Sequence, residues 1–453
     1  MHGHGVARDC DHLLMVSSVV SVRGRREKVR QFHREGQGIT AIARVLRVDY
    51  KTVARDFKAL RLRSFSDVDQ AVIEEVAGAV LSENSLRRGR ELTEAWCLSR
   101  GLRVPRRRLE AALRVHRPVQ YAPRKPCRRS FYNAVAPYWL WCMDQNEKLV
   151  PYRIYGLAVV DAFSRAVVAG RVTTALTGRE HSRVFHEAVS LSGKVPPHVC
   201  VDKASAWGGV KRAYELLYPA GDTKRDWVRV DGERVPVKNF QVVRSVKNTP
   251  VERAWREFND YLLQWGALFE SLEDQGLLVA GARPDMLDLW CLHRVFLRHV
   301  KAGARDHWRM MNLRKKRKST RNPDFPTGTH RPIQLIRMPG LGEEIGADDV
   351  AALGSIFEDY AATHDNPNAS PWQKDPLQTT RARTALRQLM DEDGFGDVLK
   401  PEDDIETEFL LKFDVDDMEN ESLRPSPIDR NLLALKYITL RHYARGLRDW
   451  ERT

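Results

Sequence analysis

Residues 138–173, YWLWCMDQNEKLVPYRIYGLAVVDAFSRAVVAGRVT, decide the fold. WLWCMD is an apolar run that ends in a carboxylate, Asp144. PYRIYGLAVVD and RAVVAGRVT are strand-like runs separated by the turn Ala162-Phe163-Ser164, so they are expected to pair as a hairpin. Downstream, Thr177–Ser192 reads as a helix, HVCVD (198–202) as a short buried strand, and Ser205–Tyr218 as another helix. Asp231-Gly232, flanked by WVRV and RVPV, has the composition of a tight hairpin turn. FQVVRS (240–245) is strand-like and precedes a long helix that starts near Asn248. Three strands, helix, strand, helix, strand, helix is the order of an α/β core: a mixed five-stranded sheet with helices on its faces.

The acidic residues fall where such a sheet would gather them. Asp144 is expected to close the first strand, Asp202 the fourth, and Glu252 to lie on the first turn of the helix after the fifth. Phosphoryl transfer with two metal ions needs acidic oxygens from separate elements, converging where two divalent cations sit about 4 Å apart. Magnesium keeps several waters, so two or three protein carboxylates suffice. Asp161 also ends a strand, but in Asp161-x-x-Ser164-Arg165 the carboxylate is expected to cap backbone amides of the hairpin turn. Recombination through a covalent protein intermediate would require a tyrosine or serine nucleophile surrounded by arginine and histidine, and no such constellation stands out.

WLWCMDQNEKL, YGLAVVDAFSR, VCVD and SVKNTPVERAWREF resemble the successive motifs of the integrase catalytic core family, which includes retroviral integrases and many transposases. The similarity, with integrase-core proteins of eukaryotic genomes in particular, continues through LLQWGALFESLEDQGLL, LWCLHRVFLRHV and HRPIQL, spanning roughly residues 90–340. The resemblance implies an RNase H-like fold, dependence on two Mg²⁺ or Mn²⁺ ions, and DNA strand transfer by Asp144, Asp202 and Glu252. The interval of 50 positions from Asp202 to Glu252 is long for retroviral integrases, and the Asp231-Gly232 hairpin accounts for the excess. Lys203-Ala204-Ser205-Ala206-Trp207 follows the second aspartate, where the family often carries a glycine-rich turn. Beside Glu252, Asn248 is placed as an N-cap, Pro250 suits the first turn, and Trp255 is expected to be a core anchor. Lys247, Arg253 and Arg256 are candidates for DNA phosphate contact.

Ahead of this core, residues 25–63 form a first small unit. Thr40 and Asp49 are placed as N-caps of two short helices, with Ile42, Val45, Leu46, Val53, Phe57 and Leu60 at helical spacing. The pair resembles a helix-turn-helix whose second helix presents Lys51, Thr52, Arg55 and Lys58 to a DNA groove; Arg47 stands in its turn where many such motifs have glycine. Residues 66–118 read as a second helical unit, its turn marked by Gly101 and Pro105. Arg106, Arg107 and Arg108 open its last helix, an unfavourable place for cations that nearby phosphates would offset, so Arg106 and Arg107 join the DNA-binding candidates. The catalytic core is expected over 131–275 and a helical extension over 276–340. That extension carries the unbroken basic run Arg314, Lys315, Lys316, Arg317 and Lys318, which reads as a nuclear localisation signal, a DNA-backbone contact or a plain solvated segment.

Charge supports a polyanionic partner. The 453 residues carry a formal +14 with a pI near 9.6, unevenly: residues 1–130 hold 28 Lys/Arg against 14 Asp/Glu, 131–340 hold 33 against 21, and 341–453 hold 13 against 25. The last, acidic region is expected to be partly flexible, ending in a helix near Asn431–Trp450. Six scattered cysteines without a C-x-x-C pair argue against a zinc ribbon or a disulfide scaffold, and point to a reduced compartment. No segment has the length of a membrane span. The expectation is therefore a DNA integrase or transposase acting on element ends and target DNA, a homo-oligomer when active, and nuclear if eukaryotic. The alternatives are a domesticated, inactive relative that only binds DNA, and an RNase H-like nuclease.

Overall fold

A computed structural model describes residues 22–83, 90–116, 134–202, 205–218, 226–230, 233–237, 239–243, 248–315, 330–338, 340–366, 368–369, 371, 374–399 and 429–452. At its centre lies a five-stranded sheet in the order β3-β2-β1-β5-β8. Strands β1 (Leu140–Leu149), β2 (Ile154–Asp161) and β3 (Val167–Thr173) form an antiparallel meander. A two-residue strand, β4 (Lys194–Val195), precedes β5 (His198–Val201), which runs parallel to β1; β8 (Phe240–Val242) runs parallel to β5. Between them, β6 (Asp226–Val230) and β7 (Glu233–Val237) make the separate hairpin expected at Asp231-Gly232, although the turn residues themselves lie outside the described residues. A last short strand, β9 (Glu343–Glu344), pairs with β4.

This sheet sorts its side chains by the two-residue period of a strand. Leu140, Cys142, Ala158, Val160 and Cys200 pack on one face, and Trp141, Met143, Leu157, Val159, Val199 and Val201 on the other. Helices α7 (Gly178–Ser192) and α8 (Gly208–Leu217) cover the second face, while α9 (Thr249–Asp274) and α10 (Met286–Leu313) cover the first. Trp255 is a core residue of that first face, packed 5.5 Å centroid to centroid from Phe258. Gly170 is where β3 meets α10, because a Cβ there would lie 2.7 Å from the Trp308 ring.

At the front, α1 (Val22–Arg34), α2 (Ile39–Leu46) and α3 (Tyr50–Ala59) enclose a small core of Val29, Ile42, Val53 and Phe57. Three helices stand here rather than two, and the N-cap of α2 is Gly38 instead of Thr40. The corner begins with Gly36 at φ +81, so the chain turns two residues earlier than the Thr40 reading required. Asp49 caps α3, its carboxylate accepting from Lys51 N at 2.7 Å. Arg47 closes α2 in the left-handed conformation, φ +53, which explains why glycine would suit that turn. The second unit is also three-helical: α4 (Gln70–Glu83), α5 (Arg90–Ser99) and α6 (Arg106–His116).

The short α11 (Pro332–Ile336) follows the core, and the C-terminal region holds more order than its composition suggested: α12 (Ala347–His364), α13 (Thr380–Glu392) and α14 (Arg430–Arg452). Leu353 and Phe357 of α12 pack into the core face covered by α7 and α8, and Tyr437, Leu440 and Ala444 of α14 pack with α10. The acidic stretch 400–428 lies outside the described residues. Among the described residues no helix is long and apolar enough to cross a membrane.

Candidate active site

The carboxyl end of β5 is where the acidic residues meet. Strand β1 does not stop at Asp144; it runs to Leu149, with Asp144 opposite Ala158 of β2. The polar half QNEKL stays extended because β2 still pairs with it, whereas β5 ends at Val201 and leaves β1 unpaired on that side. The parallel register sets Leu140 opposite His198, Trp141 opposite Val199 and Cys142 opposite Cys200. Asp144 follows the paired Cys142, and Asp202 the paired Cys200, by two residues each.

Glu252 arrives from the next helix. Asn248 precedes α9, but its side chain does not cap the helix as expected; its Nδ2 donates 2.8 Å to the Met143 carbonyl instead. That bond fastens the start of α9 to β1 one residue from Asp144, and Glu252 sits in the first turn. Asp144 is 6% exposed, and its pKa is pushed up to about 7 by burial first, then by the charges of Asp202 and Glu252. The Gln145 backbone N–H and the neighbouring Trp255 indole oppose the rise, although the indole N–H meets no partner at full hydrogen-bond geometry. Asp144 thus lies within reach of the charges of Asp202 and Glu252. Among the described residues no three His, Cys, Asp or Glu side chains close into a ready metal cage. Like charges without a cation between them repel, so an open arrangement is the physical expectation. The donor set of hard carboxylate oxygens fits Mg²⁺ or Mn²⁺.

Asp202 has a further partner, the Trp207 indole Nε1, which donates to its Oδ1 at 2.9 Å. Trp207 packs edge-on against His181, ring centroids 4.3 Å apart. His181 is fully buried, one ring nitrogen 2.8 Å from the Thr177 carbonyl and the other 2.9 Å from Gln145 Oε1. Burial lowers the His181 pKa, with the Thr177 carbonyl and the Asp202 charge opposing. These two aromatic residues were not singled out in the sequence; the tryptophan in place of a glycine-rich turn was the signal available.

Asp161 lies apart from this chemistry. Fully buried, it accepts from Ser164 N and Ser164 Oγ, each at 2.7 Å, and from Tyr138 N at 2.7 Å. Burial raises its pKa while these donors hold it down, and Arg165 turns the chain at φ +64. It is the hairpin's structural carboxylate.

The basic candidates divide by environment. Lys51, Arg55 and Lys58 are exposed on α3, with Thr52 half-buried. Arg107, Arg253 and Arg256 are exposed, and Arg106 pairs with Glu110 at 2.9 Å. Arg314 pairs with Glu257 and Lys315 with Glu94, both at 2.7 Å, so part of the basic run is spent inside the molecule. Lys247, Lys316, Arg317 and Lys318 lie outside the described residues.

Residues 131–330 match the family described as Integrase core domain. No curated protein matches the chain.

Proposed function

We propose, on the match of residues 131–330 to the integrase core domain family, that this chain is a DNA integrase or transposase whose Asp144, Asp202 and Glu252 hold two Mg²⁺ or Mn²⁺ ions. The reading rests above all on buried Asp144, which lies within range of the charges of Asp202 and Glu252 and beside the pinned start of α9. The reaction is hydrolysis of one phosphodiester to free a 3′-OH, followed by attack of that 3′-OH on a target strand, with no covalent protein intermediate. Bound metal would supply Lewis-acid stabilisation of the attacking and leaving oxygens. The chain's own contribution is orientation and a partly dry setting. Asn248 holds the Glu252 helix against β1, Trp207 fixes one oxygen of Asp202, and burial together with the charges of Asp202 and Glu252 raises the demand of Asp144 for a cation. The exposed cations of α3, with Thr52, would hold DNA through its backbone or groove, as would Arg107, Arg253 and Arg256. Synapsis of two ends calls for a homo-oligomer, and work on chromosomal DNA for the nucleus if the chain is eukaryotic.

Joining of a labelled 3′-OH DNA end to a plasmid, with and without Mn²⁺, tests the proposal. The wild-type protein should join; a nuclease only cuts, and a DNA-binding relative does neither. Asp202→Asn should reduce joining at least 100-fold, on the order of the loss when a metal-ion catalyst is disabled, while retaining DNA. Undiminished joining by that variant refutes the assignment.

A further inference from the structure

We propose that Trp207 and His181 are positioning residues that brace Asp202 for metal, tying its rotamer to the strand that carries Asp144. The inference rests on the metal-site reading above and concerns residues that reading does not require.

An indole N–H is a neutral donor with no lone pair to offer. Bound to Oδ1 of Asp202 at 2.9 Å, it stops the carboxylate from rotating, yet it neither neutralises the charge nor occupies the other oxygen. Lysine or arginine in that place would compete with a divalent cation. The indole in turn has little freedom, because Trp207 is 1% exposed and the His181 ring stands edge-on to it at 89°. His181 Nδ1 lies 2.8 Å from the N-cap carbonyl of α7 and Nε2 lies 2.9 Å from Oε1 of Gln145, the residue after Asp144, and a neutral ring donates its one N–H to one of these two oxygens. Gln145 is held by its own bond from Nε2 to Glu147, 2.5 Å. A continuous run of side chains therefore links the two aspartates: Gln145, His181, Trp207, Asp202.

The turn that bears Trp207 is seated by close approach. At Gly209 a Cβ would lie 2.3 Å from Ser182 Oγ, and at Gly208 it would collide with the Tyr360 ring, so both glycines let the turn lie against α7 and α12. Partners of this kind around a metal ligand are commonly worth 10- to 100-fold in metal affinity.

The test is Mn²⁺ binding to the full chain, followed by paramagnetic resonance of free Mn²⁺, with folding checked by thermal melting. Trp207→Phe keeps the ring and removes the donor; it should weaken Mn²⁺ binding about 10-fold, and excess Mn²⁺ should restore the joining rate. His181→Phe keeps the packing and removes the polar contacts of the ring; it should weaken binding in the same direction and by less, and serves if the first variant misfolds. Wild-type affinity in both variants, alongside loss in Asp202→Asn, overturns the brace and leaves the metal site standing. No Mn²⁺ binding by the wild-type protein overturns the site reading and the brace together.

Discussion

Asp144 and Asp161 are two buried aspartates on adjacent strands with opposite fates. Asp161 is surrounded by N–H and O–H donors that satisfy it, so its burial is structural. Asp144 is surrounded by two more carboxylates, and its pKa is carried to about 7 from a usual value of 3.8. The unfolded chain ionises this group near pH 4, whereas the folded, metal-free protein resists ionisation until about pH 7. Stability is therefore greatest below the unfolded pKa, falls as pH rises between those values, and stays lower above them. Asp144→Asn should accordingly stabilise the metal-free protein at pH 8 by on the order of 2 kcal/mol and do nothing favourable at pH 4. Thermal melting at the two pH values reads this directly, and equal melting of variant and wild type at pH 8 contradicts it. The D-x-x-S-R spacing betrayed the role of Asp161 because its two bonds from Ser164 are local, whereas the bond from Tyr138 N, 23 residues away, lay outside that pattern. The state of Asp144 depends on residues 58 and 108 positions away, which no local pattern encodes.

At the scale of elements, the C-terminal helix shows how regional charge misleads. Residues 341–453 are net acidic, yet α14 docks through its arginines onto aspartates of the basic body. Arg441 Nε lies 2.6 Å and Arg445 2.9 Å from Oδ1 of the fully buried Asp288, and Arg445 and Arg448 reach Asp285 at 3.0 and 3.3 Å. Asp288 Oδ2 also accepts from Val279 N at 2.9 Å. Removing a partner from a buried charge costs more than the pair gains, about 3 kcal/mol. Arg441→Ala should lower the melting temperature and speed protease cleavage within 430–452; a variant as resistant as wild type would mean the contact is incidental. Another long-range contact closes the start of α7, where the Asp365 carboxylate accepts from Gly178 N at 2.7 Å and Arg179 N at 2.8 Å. Each helix was legible where its apolar spacing was regular, as in α7 and α14. The helices α12 and α13 were not, because the surrounding acidic stretches dominated the composition.

For the whole molecule, the basic excess of the first 340 residues does not all face outward. Arg314 and Lys315 are drawn into ion pairs, and Arg331 is buried against Glu94 at 2.9 Å. The exposed cations of α3 are the clearer test of DNA contact. Replacing Lys51 and Arg55 together by alanine should reduce the slope of log affinity against log salt by about 2, whatever the DNA sequence. Fluorescence anisotropy across a salt series measures it, and an unchanged slope removes α3 from the interface. What the amino-acid sequence determined unaided was the succession of strands and helices, the hairpin at 231–232, the turn role of Asp161, and the motifs that carry Asp144, Asp202 and Glu252. These depend on side-chain periodicity and turn chemistry, which neighbouring residues encode among themselves. Only the tertiary structure decided the closeness of Asp144 to the charges of Asp202 and Glu252, the diversion of Asn248 to Met143, the Trp207 bond to Asp202 and the arginine clasp on Asp288. Such contacts join distant residues because burying polar groups compels them to find partners, and which partner is within reach is settled by packing alone.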